Sequence, residues 1–270
     1  MEVKFGNLYY FIYLIILAVF MVLINIYFGK VDAKKRYKIL IIISFSSLLL
    51  HFSKMFFYPY NQDISYLRKI SFENICAVST LIFPFILLSK NKYLLDYVMV
   101  MGLVSGILSI FLPLEAYSNE ETFKAAFSFD VMRFYYAHFI ILLTGVLLYR
   151  FRLHELSKKR IFYLPITFLS ILCVIVINEL LLIRIGFVEY SLDLLFDVNY
   201  RNSSLIFGIP DNLNSFRYIL TIFVPKFLKD PYIPIIWLVI PSYIYLPLMY
   251  ESIRYLNHKN ILIFKEKRND

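Results

Sequence analysis

The feature that most constrains this chain is a recurrence of apolar runs, each about 20 residues long, separated by short clusters of charge. Seven runs are legible, near residues 8–28, 37–57, 70–89, 93–113, 131–150, 161–183 and 234–253. A run of that length crosses a hydrocarbon layer of roughly 30 Å as a helix, and a helix satisfies its own backbone there. A water-soluble domain carries about a quarter of its residues charged. Here 17% are charged and 60% are hydrophobic. An outer-membrane barrel requires short alternating strands, which this sequence lacks. The expected fold is an all-α polytopic membrane bundle of about seven transmembrane helices, one integral membrane domain over 1–270. The first run is too long for a signal-peptide core and lacks a small-residue cleavage site, so it is read as a retained span.

The net charge of +9 does not point to nucleic acid. In this class, basic residues gather in cytoplasmic connections and face anionic lipid. They do so in GKVDAKKRYK (29–38), in the short KNK turn, in RFRLHELSKKR (150–160) and in the C-terminal tail. With seven spans these segments fall on one side, opposite the acidic loop LEAYSNEETFKAAFSFD (114–130). The expected topology has the N-terminus outside and the C-terminus cytoplasmic. Frequent Ile, Lys, Asn, Tyr and Phe point to an AT-rich bacterial genome, hence a bacterial inner membrane. The segment 184–233 mixes polar turns with apolar pieces. It reads as an extracytoplasmic loop, part of which re-enters or lies flat at the interface. No heptad pattern specifies an oligomer, and the oligomeric state is left open.

Several spans carry polar residues at one expected depth. Cys76 lies about six residues into the third span, roughly 9 Å at 1.5 Å per residue. Glu73 and Asn74 stand beside it, and Glu73, Cys76, Ala77 and Thr80 share one helical face. His138 in the fifth span, Asn178 and Glu179 in the sixth, and His51 in the second fall at comparable depth. Gly102, Ser105, Gly106 and Ser109 in the fourth admit close approach of a ligand or a neighbouring helix. Ionisable groups at such depth usually face a bundle interior or a water-filled cavity. The layer therefore reads as a polar pocket in the outer leaflet. Arg133, one turn before His138, either snorkels to headgroups or holds a phosphate. His51 with Lys54 reads as an interface anchor, and His154 and His258 as solvated. Cys173 reads as a small hydrophobe.

The chemistry available to this layer is limited. The sequence has no HExxH, P-loop, GxSxG or glycine-rich dinucleotide motif. Its two cysteines lie in apolar runs, without metal-binding spacing. No metal and no cofactor are expected. Cysteine with histidine is the nucleophilic pair present: the imidazole stabilises a thiolate and returns a proton to a leaving group. A thioester below the interface suits acyl transfer between membrane lipids, the expected partners.

Four stretches carry a family resemblance: ENICAVSTLIFP, MRFYYAHFIIL, INELLL and NSSLIFGIP, within about 70–210. The chain resembles the YwaF-type bacterial integral membrane proteins, whose eukaryotic relatives are the transmembrane protein 164 acyltransferases. In that family a Leu-Pro-x-His-x-Cys motif opens the third span. Here Cys76 takes the cysteine position and His138 that of the downstream histidine; Asn74 stands where the family has histidine, and Phe72 where it has proline. The resemblance implies a cysteine acyl-enzyme with Cys76 as nucleophile and His138 as base. Glu73, Asn74, Asn178 and Asn202 then line the substrate site, and Arg133 holds phosphate. The alternative reading is a non-enzymatic transporter, sensor or ligand-binding protein using the same pocket, or a structural partner subunit.

Overall fold

The computed structural model describes residues 2–58, 60–113, 125–188, 191–200 and 203–266. The chain is all-helical, and among the described residues there is no strand. The helices are α1 (Leu8–Lys30), α2 (Ala33–Ser53), α3 (Ile75–Ser89), α4 (Lys92–Phe111), α5 (Phe129–Arg150), α6 (Tyr163–Arg184), α7 (Leu192–Phe196), α8 (Asn214–Thr221), α9 (Lys226–Lys229) and α10 (Ile236–Glu266). Six of them, α1, α2, α4, α5, α6 and α10, are long and apolar enough to cross a membrane. The expected third span is the shorter α3, 15 residues preceded by a 3-10 turn over Ile64–Ile70. The apolar run does begin at Ile70, but Asn74 caps the helix: its Oδ1 accepts the Ala77 N–H at 2.9 Å. An Asn side chain that satisfies an otherwise orphaned first-turn donor favours a start at that point over continuation upstream. Most of the acidic loop, 114–124, lies outside the described residues.

Other helix ends are also written locally. Asn7, Asp32, Asn91 and Ser128 cap α1, α2, α4 and α5 through their side-chain oxygens. Arg36, one of the basic residues of the first connection, closes the other end of α1. Its Nε donates to the Phe28 carbonyl at 2.6 Å and an Nη to that of Gly29 at 3.2 Å, while the guanidinium stacks over Phe151.

The chain divides into two compact units, one of Met1–Phe57 with Ser79–Glu155, the other of Tyr58–Val78 with Leu156–Asp270. The first unit is organised around α5. On one side α4 approaches it to backbone contact. A Cβ added to Gly106 would lie 2.7 Å from the Leu142 Cα, one added to Gly145 2.7 Å from the Leu103 nitrogen, and one added to Gly102 2.9 Å from the Ile141 carbonyl oxygen. Gly102 and Gly106, at GxxxG spacing, thus serve a neighbouring helix. On another side α2 runs beside α5, with Ser46 hydrogen-bonded to Tyr136 at 2.5 Å and Phe57 stacked on Phe129. Then α1 joins through Tyr13, which stacks on Tyr135 and donates to the Ala126 carbonyl. The second unit pairs α6 with α10. Trp237, fully buried, donates to the Ile206 carbonyl at 3.2 Å. Tyr250 clamps Ser157, accepting its N–H at 2.8 Å and donating to its carbonyl at 3.0 Å.

Gly106→Leu forces α4 from α5 and is expected to lower stability by about 2 kcal/mol. Gly29→Ala, at a position with nothing within 4 Å, is expected to be neutral or mildly stabilising. Thermal unfolding of the detergent-solubilised variants, followed by helical circular dichroism, separates the two.

Candidate functional site: the turn that opens the third helix

The second unit assembles a polar turn around Cys76. The capping of α3 places Cys76 in the first helical turn, two residues after Asn74, not six residues into a span. The Cys76 thiol is half-buried. Glu73 lies before the helix, so it does not share a helical face with Cys76, Ala77 and Thr80. Its carboxylate pairs with Arg68 at 3.4 Å, both side chains largely buried. Ser71 links three elements: its hydroxyl donates to the Arg68 carbonyl at 2.6 Å and accepts from the Asn178 side-chain amide on α6 at 3.0 Å. Next to Asn178, Glu179 is buried. The Ile75 N–H is taken by the Ser204 hydroxyl at 2.9 Å. Ser204 and Leu205 both hold left-handed backbone, φ 60° and 61°. Two consecutive non-glycine residues in that region store strain, and such strain persists where the surroundings over-determine it.

Of the residues expected to form the site, Cys76, Glu73, Asn74 and Asn178 therefore belong to one unit and one hydrogen-bonded neighbourhood. Asn202 lies outside the described residues. Arg68, Ser71 and Ser204 were missed by sequence reasoning. Ser204 had a signal, because it sits in NSSLIFGIP. Ser71 and Arg68 carried none, since each acts through its place in a turn.

His138 and Arg133 lie on α5, in the first unit. The His138 Nδ1 is 2.8 Å from the Phe134 carbonyl oxygen one turn earlier. A carbonyl only accepts, so in the neutral ring Nδ1 carries the proton and Nε2 keeps the lone pair. Phe134 also packs its ring on the imidazole, 4.2 Å between centroids. Arg133 pairs with Asp130 at 3.1 Å, and its buried Nε has no hydrogen-bond partner among the described residues. It lines a groove of about 400 Å³ with Ser46, Leu50, Phe129, Met132 and Tyr136.

Three expectations for other polar residues change. His51 and Lys54 are buried, 3% and 4% exposed, so neither is an anchor held in the headgroups. His154 is not solvated. It is buried, and its Nε2 lies 2.6 Å from the Asp96 Oδ1, itself 1% exposed. That contact ties the connection after α5 to the second turn of α4. Only tertiary packing buries a histidine flanked by Arg152 and Glu155. Ser105 donates within α4 to the Met101 carbonyl, and with Gly102 and Gly106 packed on α5 the small-residue face of α4 is a helix contact. Cys173 is exposed on the outer face of α6, as a small apolar residue facing lipid would be.

His154→Ala leaves the buried Asp96 carboxylate without its 2.6 Å partner and is expected to cost roughly 3 kcal/mol. Adding Asp96→Asn is expected to recover part of the loss, because the buried carboxylate charge is then removed. Chemical unfolding of the single and double variants checks both expectations.

No curated protein and no solved structure matches the chain. A family does, over residues 5–229, a stretch that holds α1 to α9, the Cys76 turn, His138, Asn178 and Ser204. This multi-pass membrane chain, with its cysteine at the opening turn of a short third helix, belongs to the TMEM164 family.

Proposed function

We propose that the protein is a cysteine-dependent acyltransferase of membrane lipids, with the N-terminus outside and the C-terminus cytoplasmic in a bacterial inner membrane. The observation that carries the reading is the seat of Cys76 in the first turn of α3, behind the Asn74 cap. The helix dipole at the start of α3 favours an anionic sulfur over a neutral thiol. A thiolate there attacks the ester carbonyl of a donor lipid. The acyl–oxygen bond breaks, a thioester forms on Cys76, and the leaving alkoxide takes the proton that the thiol gave up to the base. An acceptor hydroxyl then attacks the thioester, gives up its proton and releases the thiolate.

His138 is the proposed base. With Nδ1–H committed to Phe134, Nε2 is the nitrogen that takes the acceptor's proton. Asn74 has one amide oxygen engaged in capping, which leaves its N–H₂ to donate to a carbonyl or headgroup. Asn178, Glu73 and Asn202 complete the proposed lining, and Arg133 holds a lipid phosphate. The Glu73–Arg68 pair and the Asn178–Ser71 bond support a positioning part for both residues: each holds the loop from which α3 starts.

In proteoliposomes, an electrophilic acyl analogue is expected to label Cys76 and not Cys173. Cys76→Ala is expected to abolish both labelling and acyl transfer. His138→Ala is expected to slow transfer by about 10²–10⁴-fold. A Cys76→Ala protein that retains full acyl-transfer activity overturns the reading.

A further inference from the structure

The segment between α6 and α10 carries an apolar face that the proposed chemistry does not use. Over residues 217–229 the buried side chains are Thr221 and Val224, while Tyr218, Ile219, Ile222, Phe223 and Phe227 stand 48–73% exposed. The opposite, inward side is held by polar bonds. Arg217 donates to the Tyr232 hydroxyl at 3.2 Å, the Lys229 ammonium donates to the Thr221 carbonyl at 3.1 Å, and Tyr245 of α10 donates to the Ile219 carbonyl. The Tyr245 bond and the buried Thr221 and Val224 turn one side of the segment to its own unit, and the apolar side is turned away.

Length limits where such a face can go. An eight-residue helix rises about 12 Å, well short of a hydrocarbon layer of roughly 30 Å. The segment therefore does not span. The helix it is pinned to does: α10 exposes Ile236, Val239 and Tyr243, so its outward surface is in lipid. Lipid that reaches α10 reaches the segment bonded to it. Lys226, exposed beside Phe227, lies 4.0 Å from the Asp230 carboxylate, and both side chains are open to the outside.

We propose that residues 214–229 lie flat in the lipid leaflet beside α10, with Tyr218, Ile219, Ile222, Phe223 and Phe227 among the upper acyl chains and Lys226 at the headgroups. The occupant of this face is the phospholipid leaflet itself, entered to roughly 5–10 Å. The segment is an interfacial anchor and does not re-enter. The Ile235 N–H bonds the Ile206 carbonyl at 3.0 Å, two residues from Ser204, so the start of α10, which follows the segment, is tied to the stretch that closes the α3 turn. The inference stands apart from acyl transfer and is tested without it.

The chain has one tryptophan, Trp237, which is fully buried and serves as an internal control. Phe223→Trp and Phe227→Trp each add a reporter at an exposed position, so the fold is expected to be kept; unchanged Trp237 emission in each variant verifies this. In vesicles of brominated phosphatidylcholine, lipids brominated high on the acyl chain are expected to remove roughly half of the added emission. Bromines near the chain ends are expected to remove less, and aqueous iodide little. Strong iodide quenching with no bromolipid effect places the face in water and overturns the proposal. Strongest quenching from the deepest bromines means re-entry and also overturns it. Quenching by neither means that a protein surface, such as a second copy, covers the face, which overturns it equally.

Discussion

The first unit rests on backbone contact between α4 and α5. Lipid tails are as apolar as leucine, so burying leucine gives two membrane helices no reason to associate. What remains is dispersion and weak polar attraction over a close surface, and Gly102, Gly106 and Gly145 make that surface possible by putting no Cβ of their own into the crossing. Once α4 and α5 are fixed, the rest of the unit follows α5. Its aromatic residues take α2 through Tyr136 and Phe129 and α1 through Tyr135. The Asp96–His154 contact then fastens the far end of the same pair. His138 is thereby mounted on the most constrained helix of its unit, one turn before the glycine crossing begins.

The second unit is held by a different economy of contacts. Its defining bonds run from side chains to backbone: Trp237 to Ile206, Tyr250 to Ser157, Tyr245 to Ile219, Ser204 to Ile75. These bonds fix irregular backbone, which helps explain how the region can carry a capped turn, a strained Ser204–Leu205 pair and a short interfacial helix together. A donor or acceptor left open at membrane depth is costly, so each irregular stretch comes with a named side chain that closes it. In the α3 turn, Asn74, Ser71 and Ser204 do this work, and the cysteine is presented by the backbone they define.

The spans were legible because hydropathy over about 20 residues is a direct readout of the solvent a helix meets. The start of α3 was not, because Ile70, Phe72 and Ile75 extend the apolar pattern across a boundary that one polar cap decides. The candidate site was legible in part. Asn178 and the Glu73–Cys76 turn were found from polarity in apolar runs, and they meet in one neighbourhood. Ser71 and Arg68 were invisible, since a serine and an arginine at a span edge are ordinary. His154 and Lys54 show the complementary limit. His154 is flanked by charge and Lys54 carries its own, and nothing in a linear pattern says that packing will bury them.

The bond between the Ile75 N–H and the Ser204 hydroxyl joins positions 129 residues apart. A chain made from its N-terminus inserts and folds in that order. The helix that presents Cys76 is therefore synthesised well before the residue that closes its first turn exists. During that interval Asn74 alone caps the turn. The thiol's final setting is among the last features of the molecule to form, so a protein truncated before residue 204 would carry the cysteine without its finished seat.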